Sequence, residues 1–518
     1  MKEEWGRSSS WDPVTLPQAE QMKSYGSPPL PIARTTPRHR LLGISHAPLF
    51  QVLRRPGRIS CSSISQVHNY GTIDYERRPP FKWSLLYRKI SMTDSPGGGG
   101  SSTDVLERWV AVGNKVTKWD LCRVVKELRK FRRFRLALEV YEWMTSKGRR
   151  FKFTSSDAAI QLDLIAKVHG VSRAEDHFST LSDSLKDKRT HCSLLNAYCQ
   201  AGMKDKSEAF IQVMKNKDYI EEALPYNALM TLYMNAKEYD KVKSTTLEMR
   251  ESNISLDIYS YNILMTTYAA MGNMEEMEGV LEQLKADPRV NGNWGTYSTL
   301  CTMYIKLGHF EKAENCLKEA EKRITGRNRI AYHYLMTLYS SLNKKEEVYR
   351  IWNSYKSNFP VMVNKAYHSM ISSLIRVGDI EGAEVMYEEW MSTKPNFDPR
   401  ICNILMSSYI KEGQMEKAQE FLDHTIEKGG KPSPTTWEIL ADGHIRGKRI
   451  PEALSCMKEA ASIKRSVDWR PRPETIASFL NFCEESSDIE SKEMLLGLLR
   501  SAGCLDEEKY KSFETSRI

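Results

Sequence analysis

Hydrogen-bonding side chains recur through most of the chain at a fixed interval. They stand 35 or 36 residues apart, at Asn227, Asn262, Ser298, His333, His368, Asn403 and Glu438. A tyrosine directly precedes the first five, and a cysteine and a tryptophan precede the last two. An asparagine amide offers a donor and an acceptor together, and a serine hydroxyl offers both from one atom. A row of such groups suits recognition of a planar partner with a mixed donor and acceptor edge.

The same sequence carries no motif that predicts catalysis. No HExxH, GxxxxGK(S/T), GxGxxG or GxSxG motif stands in a suitable context, and no HxE is followed by a CxxC. The glycine-rich stretch SPGGGGSS at 95–102 lacks the strand and the lysine of a phosphate loop. We therefore expect no catalytic residue, no metal, no cofactor and no small-molecule substrate, and hence no enzyme.

Each recurring residue lies near the start of one of two short amphipathic segments that a turn separates. In the stretch 261–284, YNILMTTYAAMGNMEEMEGVLEQL, one apolar stripe precedes Gly272 and another follows it. Ten residues after each recurring position stand Lys237, Gly272, Gly308, Asn343, Gly378, Gly413 and Lys448, and glycine or asparagine there favours a left-handed residue that ends a helix. Fifteen residues after it, a small residue for close helix contact stands at Ala313, Ala383, Ala418 and Ala453.

A period of about 35 residues with two helices per unit is typical of an α-solenoid, in which each hairpin covers the apolar face of the next. The fold class expected is all-α: a right-handed α-solenoid of about eleven helix-turn-helix repeats with a disordered N-terminal extension. Within an array at 104–506, the units are predicted near 118–152, 156–187, 188–222, 223–257, 258–293, 294–328, 329–363, 364–398, 399–433, 434–471 and 472–506. A tail follows at 507–518.

The first part of the chain has a different composition. Residues 1–100 hold 14 Lys and Arg against seven Asp and Glu, and no acidic residue stands between Gln21 and Ile73. Serine-containing, arginine-rich and acid-poor composition is typical of an organelle transit peptide; a disordered basic tail is the alternative. We expect a transit peptide and disordered extension at 1–92 and a flexible linker at 93–103, with Met1 or Met22 as the start, and folded structure from about Asp104.

Charge and apolar patterning limit the remaining classes. The net charge of +9 belongs mostly to the N-terminal segment, so it gives little support for a nucleic-acid partner. No apolar run reaches the roughly 18 residues of a membrane span, which predicts no membrane partner. The ten cysteines show no paired framework, as expected in a reducing compartment.

The frame YN-x-L-(M/I)-x-x-Y-x-x-x-G resembles the pentatricopeptide repeat (PPR) family. LERWVAVGNKVTKWDLCRVVKELRKFRRFRLALEVYEWM at 106–144 is similar to the opening of its plain-repeat (P-class) plant mitochondrial type. The resemblance implies modular binding of single-stranded organellar RNA, with about one base per unit, in the mitochondrion or, as the alternative, the chloroplast. The first helices are then expected to present the recurring polar residues along an inner groove.

The resemblance also implies that base choice follows a pair: the recurring residue and the last residue of the same unit. Carried over, it assigns uracil to Asn227 with Asp257, cytosine to Asn262 with Asn293, adenine to Ser298 with Asn328, and cytosine to Asn403 with Ser433. The predicted core is 5′-UCAnnC-3′. Units with His333, His368 and Glu438 depart from this code. The alternative is that Asn and Ser in this column only cap the first helix.

Two further columns are implied by the resemblance. Three residues before the recurring position, an apolar side chain stacks between bases at Leu224, Tyr259 and Ile330, whereas Gly295, Lys365 and Arg400 do not fit. Eight residues after it, phosphate-binding cations are expected at Lys130, Lys306, Arg376, Lys411 and Arg446. Solvated lysines that satisfy a helix C-terminus are the alternative for this column.

Three functions remain open on the sequence, of which the third is a protein–protein solenoid that does not bind RNA. The first is a binder of organellar transcripts that acts in RNA stability, processing or translation. The second is a structural scaffold associated with the mitochondrial ribosome with little sequence specificity, which the near-neutral array and the units off the code favour.

Overall fold

The computed structural model describes residues 82–93, 100–325, 328–393, 397–463 and 469–515. Every regular element in these ranges is a helix, so the predicted class, an all-α solenoid of helix-turn-helix repeats, is confirmed. The chain forms two compact units. The first comprises residues 1–95 and 100–291, and the second comprises residues 96–99 and 292–518. Residues 1–81 of the transit peptide and extension predicted at 1–92, and most of the linker predicted at 93–103, lie outside the described residues.

The described part of the first unit contains twelve α-helices. They are α1 Lys82–Met92, α2 Ser102–Ala111, α3 Lys118–Lys130, α4 Phe134–Ser146, α5 Ser155–His169, α6 Val171–Thr180, α7 Lys188–Gln200, α8 Lys204–Asn216, α9 Leu224–Asn235, α10 Tyr239–Glu251, α11 Ile258–Ala270 and α12 Met274–Ala286. Short 3-10 turns at Gly148–Arg150 and Asp183–Leu185 precede α5 and α7.

The described part of the second unit contains thirteen α-helices. They are α13 Trp294–Lys306, α14 Phe310–Lys322, α15 Arg329–Ser341, α16 Lys345–Asn358, α17 Asn364–Arg376, α18 Ile380–Ser392, α19 Pro399–Lys411, α20 Met415–Glu427, α21 Pro434–Arg446, α22 Ile450–Ser462, α23 Pro473–Glu485, α24 Ile489–Ser501 and α25 Lys511–Thr515. A 3-10 turn at Glu508–Tyr510 precedes α25.

Within each unit, the first helix of a repeat packs on its own second helix and on the first helix of the next repeat. In the first unit α5, α7, α9 and α11 pack in this order, and in the second unit α13, α15, α17, α19, α21 and α23 do so. Each first helix is covered on both sides, which explains why apolar residues occupy most of its circumference. Within each compact unit, equivalent positions of successive first helices therefore lie next to one another in one layer.

The turn and close-approach positions follow the sequence prediction. All seven residues ten positions after the recurring one have a positive φ, between 55° and 80°. Four are glycines, for which this region carries no side-chain penalty, and Asn343 is the type tolerated next best. The small residues predicted at the hairpin contact, of which Ala313 and Ala418 are examples, are fully buried. This part of the prediction is confirmed.

Folded structure begins earlier than the predicted start near Asp104. Helix α1 packs against α2 and α3, and Trp83, Leu86 and Ile90 join the core cluster of α3 and α4. Their spacing of three and four residues forms one apolar helical face. Composition alone assigned residues 82–92 to a disordered extension because the arginine-rich segment before them dominated the window.

A recurring triad links neighbouring repeats. Glu208 of α8 accepts hydrogen bonds from the Tyr233 hydroxyl of α9 at 2.9 Å and from the Lys241 ammonium of α10 at 2.6 Å. In the second unit Glu384 of α18 is bound in the same way, by the Tyr409 hydroxyl of α19 at 2.7 Å and by Lys417 of α20 at 2.7 Å. The tyrosine six residues after the recurring position therefore joins repeats together.

The C-terminal residues close the last repeat. Tyr510 is fully buried, and its hydroxyl donates to the carbonyl oxygen of Pro471 at 2.6 Å. The guanidinium of Arg470 pairs with Glu507 and donates to the carbonyl oxygen of Ala502. Glu507 and Tyr510, at the start of the segment predicted as a tail at 507–518, thus pack against the end of the array.

Candidate functional site

The recurring polar residues lie inside the first helices, and their predicted partners cap those helices. Asn227 lies in α9, Asn262 in α11, Ser298 in α13 and Asn403 in α19. Each is the fourth or fifth residue of its helix and therefore lies after the N-cap and the first turn. The N-cap side chains are Asp257 for α11, Asn293 for α13, Asn328 for α15 and Ser433 for α21. Capping therefore explains the second column of the predicted pairs and does not explain the first.

One predicted pair is in direct contact. The Nδ2 atom of Asn227 donates to Oδ1 of Asp257 at 3.0 Å, and the Ser260 hydroxyl donates to Oδ1 of Asn227 at 2.8 Å. Asp257 Oδ1 also accepts from the backbone N–H groups of Tyr259 and Ser260 at 3.0 and 2.8 Å. Ser260 is not among the residues predicted from the sequence. Its position three residues after Asp257 is the spacing of a reciprocal helix cap, which could have indicated it.

The predicted base-contact residues are buried, whereas side chains that line an open groove would be exposed to solvent. Their exposed fractions are 3% for Asn227, 7% for Asn262, 5% for Ser298 and 9% for Asn403. These side chains lie between neighbouring first helices with little surface facing solvent. A partner strand therefore meets only the edges of these groups in the conformation described.

Three members of the two columns nevertheless keep an unused polar atom. Oδ1 of Asn262, Oδ1 of Asn403 and Nδ2 of Asn328 are buried and have no hydrogen-bond partner among the described residues. A buried donor or acceptor without a partner costs about 1–3 kcal/mol, so such groups normally bind water or a ligand. Two free acceptors and one free donor stand where the sequence predicts base recognition.

Other members of the first column are satisfied within the protein. The Ser298 hydroxyl donates to the carbonyl oxygen of Trp294 at 2.8 Å. The indole of Trp469 donates to Oε1 of the buried Glu438 at 2.9 Å, and burial raises the pKa of that carboxyl group. The side chain of Trp469 therefore occupies the hydrogen-bonding position of the unit at 434–471.

A concave surface lies beside the column at Asn403. A groove of about 450 Å³ is lined by Ile375, Asn403, Ile404, Ser407, Lys411 and neighbouring residues. It brings a predicted base-contact residue and a predicted phosphate-contact residue to one surface, because Asn403 and Lys411 are eight residues apart on α19. Lys411 is exposed and pairs with no carboxylate in the described part of the chain.

The predicted stacking residues stand beside the column. Leu224, Tyr259 and Ile330 are each half-buried, in the first turn of α9, α11 and α15. Leu224 also lines a small cavity with Cys192, Asn196 and the buried Arg129–Asp163 ion pair. An apolar side chain that is half-exposed at this position has a face available for contact with a planar group.

The five predicted phosphate contacts differ in their surroundings. Lys130 pairs with Glu127 at 3.6 Å and Arg446 pairs with Asp442 at 2.9 Å, each on its own helix. Arg376 donates to the Ser341 hydroxyl at 3.1 Å. Lys306 resembles Lys411: it is exposed and makes no ion pair with a carboxylate of the described residues. All five stand in the last turn of a first helix.

Two histidines of the first column, His333 and His368, have pKa values far below the usual range of an imidazole. Burial, together with the nearby charges of Lys365 and Arg329, lowers the pKa of His333 to about 3. Burial and the charges of Lys365 and Arg400 lower the pKa of His368 to about 4. Both imidazoles are therefore neutral at physiological pH and can act as a donor or an acceptor.

The described ranges contain neither a metal site nor a membrane-spanning helix. No group of three His, Cys, Asp or Glu side chains is arranged to hold a metal ion. None of the helices of the described residues has the length and apolar character to cross a bilayer.

Comparison with known proteins shows the family. The PPR repeat family model matches residues 224–287, and the PPR repeat model matches 189–219, 295–323, 365–392 and 400–430. The chain is 50% identical over 484 residues to a pentatricopeptide repeat-containing protein of Arabidopsis thaliana, covering 93% of this chain and 92% of that one. The chain belongs to the pentatricopeptide repeat family.

Further relatives in Arabidopsis thaliana carry more specific names. A mitochondrial pentatricopeptide repeat-containing protein is 33% identical over 83% of this chain and 85% of its own length. The large ribosomal subunit protein mL101 (rPPR4) is 36% identical over 78% of this chain and 83% of its own length. The crystal structure of PPR10 from maize matches with a TM-score of 0.50 at 16% identity, over 86% of this chain and 61% of the maize chain, which supports the fold alone.

Proposed function

We propose that this protein binds single-stranded RNA in plant mitochondria through its first helices and acts in transcript stability, processing or translation. Asn227 with Asp257, Asn262 with Asn293 and Ser298 with Asn328 contact three successive bases, and Asn403 with Ser433 contacts the third base after them. Leu224, Tyr259 and Ile330 stack between bases, and Lys130, Lys306, Arg376, Lys411 and Arg446 contact phosphates. The protein acts by occupying the strand and carries out no chemical reaction on it.

The unused polar atoms carry this proposal. Oδ1 of Asn262, Oδ1 of Asn403 and Nδ2 of Asn328 are buried without a partner in the described residues, and all belong to the predicted base-contact columns. A base edge supplies the missing donors and acceptor, which offsets the cost of leaving these groups unpaired. The groove beside Asn403 is also lined by Lys411, which supplies a cation for a phosphate group.

Mitochondrial location rests on relatives and composition. Three relatives that are 31–34% identical over more than four-fifths of this chain are named as mitochondrial. The acid-poor, arginine-rich stretch before Ile73 is the expected targeting segment. Import of the full chain into isolated mitochondria, with cleavage upstream of α1, is the expected result.

Equilibrium binding of the full chain to short RNAs tests the proposal. We expect RNA containing 5′-UCAnnC-3′ to bind at least about tenfold tighter than a scrambled RNA, since each recognised base contributes about 1–3 kcal/mol. Asn262→Ala and Asn403→Ala should reduce this preference, whereas Asn353→Ala, on the second helix α16, should not. Equal affinity for both RNAs, or no binding at low salt, would reject base recognition.

A ribosome-associated scaffold is the second candidate, and two observations favour it. The first is the 36% identity to the large ribosomal subunit protein mL101. The second is that Ser298 and Glu438 are satisfied inside the protein. Sedimentation of mitochondrial lysate, before and after nuclease digestion of free RNA, separates the two. A scaffold sediments with the large ribosomal subunit in both gradients, whereas a transcript binder leaves the heavy fractions after digestion.

A further inference from the structure

The column residue of the unit at 434–471 is bound by a tryptophan of the same unit. Glu438 of α21 is buried, and the indole Nε1–H of Trp469, itself only 9% exposed, donates to Oε1 of Glu438 at 2.9 Å. The Nε atom of Arg472 lies 3.9 Å from the other carboxylate oxygen, Oε2. Both oxygens of Glu438 therefore face a nitrogen of the protein itself.

Trp469 stands in the same part of its repeat as a residue that pairs with the column elsewhere. Asn227 contacts Asp257, which is 30 residues later and caps α11. Glu438 contacts Trp469, which is 31 residues later and four residues before the start of α23. In both repeats the contact runs from a first helix to the segment that leads into the next first helix. The proposed function places a base at this pair, so the indole lies where the base of this unit would bind.

An indole has the chemistry that a base needs beside a carboxylate. It is a planar two-ring aromatic group with one N–H donor and no acceptor. A carboxylate accepts hydrogen bonds, and in nucleic acid it pairs with an exocyclic amine such as N4 of cytosine. The N–H group of Trp469 thus takes the place of that amine. Asn403, one repeat earlier, differs: its Oδ1 has no partner among the described residues, and it lies beside the groove that Lys411 also lines.

The backbone that carries the indole is tied to the C-terminal end of the array. The carbonyl oxygen of Trp469 accepts a hydrogen bond from the Cys504 thiol at 3.5 Å. Two residues later, the carbonyl oxygen of Pro471 accepts from the Tyr510 hydroxyl at 2.6 Å. Because these contacts hold the segment independently of Glu438, RNA cannot displace the indole without disturbing the end of the array and exposing a buried aromatic side chain.

We propose that Trp469 acts as an internal substitute for a nucleobase at Glu438, so that the base contacts of the array end at Asn403. The inference rests on the proposed RNA function and sets the length of RNA that the protein reads. The cytosine that faces Asn403 is the last base selected in the predicted core 5′-UCAnnC-3′. The nucleotide on its 3′ side, called here the +1 nucleotide, contributes backbone contacts at most, whatever its base.

Affinities of the full chain for RNAs that differ only at the +1 nucleotide test this inference. The wild type should bind the A, C, G and U forms within about twofold of one another. Trp469→Ala vacates the position and leaves the Glu438 carboxylate, so it should gain at least about a fivefold preference for C over U, because uracil presents an acceptor where cytosine presents its amine. Trp469→Phe also removes the N–H donor but keeps the position filled, so it is the matched control and should show no preference. Adding Glu438→Ala to Trp469→Ala should abolish the gained preference.

Hydrogen exchange of the α21 amides establishes that each variant keeps this helix. Base selection at the +1 nucleotide by a wild type that still prefers the core RNA overturns the inference and leaves the RNA function intact. A Trp469→Ala variant with protected α21 amides and no preference for C also overturns it. A test without substitution places 4-thiouridine at the +1 position: no cross-link to peptides of α21 is expected in the wild type, and such a cross-link overturns the inference. Absence of RNA binding by the wild type rejects the proposed function and this inference together.

Discussion

Substitution of Asp257 separates its structural role from its role in base choice. The carboxylate caps α11 and binds Asn227, which is only 3% exposed. Asp257→Ala removes the cap, which costs about 1 kcal/mol, and leaves the Asn227 amide without its acceptor, which costs about 1–3 kcal/mol more. We therefore expect a local loss of about 2–4 kcal/mol.

The isosteric variant Asp257→Asn should behave differently. Its Oδ1 can still accept from Tyr259, Ser260 and the Asn227 amide, and asparagine is as good an N-cap as aspartate. We expect a loss of less than about 1 kcal/mol. The pair then becomes Asn with Asn, which in the family resemblance changes the preferred base from uracil to cytosine.

Hydrogen exchange of the α11 amides is the appropriate stability assay, because long repeat arrays do not unfold in one cooperative step. Base preference is measured by the affinity for RNAs that carry U or C at the first core position. A variant Asp257→Asn that is as unstable as Asp257→Ala would refute the capping argument. A well-folded Asp257→Asn that still prefers uracil would refute the assignment of Asp257 to base choice.

Three further predictions concern a triad tyrosine, a column histidine and the core of α1. Tyr409→Phe removes the hydroxyl bound to Glu384 and should cost about 1 kcal/mol in exchange protection of α19, and no loss would contradict the triad. Because burial lowers the pKa of His333 to about 3, the unfolded chain gains a proton between about pH 6.5 and 3 that the folded chain does not. The unfolding free energy should therefore decrease as the pH is lowered through this range, with a contribution from His333 of about 1.4 kcal/mol per pH unit. In urea titrations, His333→Gln should reduce the slope by that contribution and leave the contribution of His368. Leu86→Ala in α1 should cost about 2–5 kcal/mol and lower the melting temperature, whereas Leu85→Ala, at an exposed position, should change it little.

The repeat period was sufficient to predict the hairpins and their turns. Gly272 and Asn343 stand at the predicted left-handed positions because helix ends impose the same backbone requirement in each repeat. Helix α1 was missed for a different reason: its apolar face of Trp83, Leu86 and Ile90 covers only three turns and carries no copy of the repeat frame. Composition over a long window cannot detect so short an element.

Burial of the base column could not be predicted from the sequence. The pattern places Asn227 and Asn403 at equivalent helical positions, yet the first is bonded to Asp257 and Ser260 and the second has a free acceptor beside a groove. That difference depends on which residue caps the next helix and on how closely adjacent first helices pack. The repeat spacing alone predicts neither the contacts of the capping residue nor the packing distance between first helices.

The two kinds of inter-repeat contact indicate how an array of this kind can bind a strand. In the two Tyr–Glu–Lys triads, a glutamate of one repeat binds a first-helix tyrosine and a second-helix lysine of the next repeat through charge-assisted hydrogen bonds. On the first helices, Asn262, Asn328 and Asn403 leave buried polar atoms unpaired in the described residues. Affinity should therefore depend on the unpaired members of the column more than on Asn227 and Ser298, whose internal hydrogen bonds must first be broken.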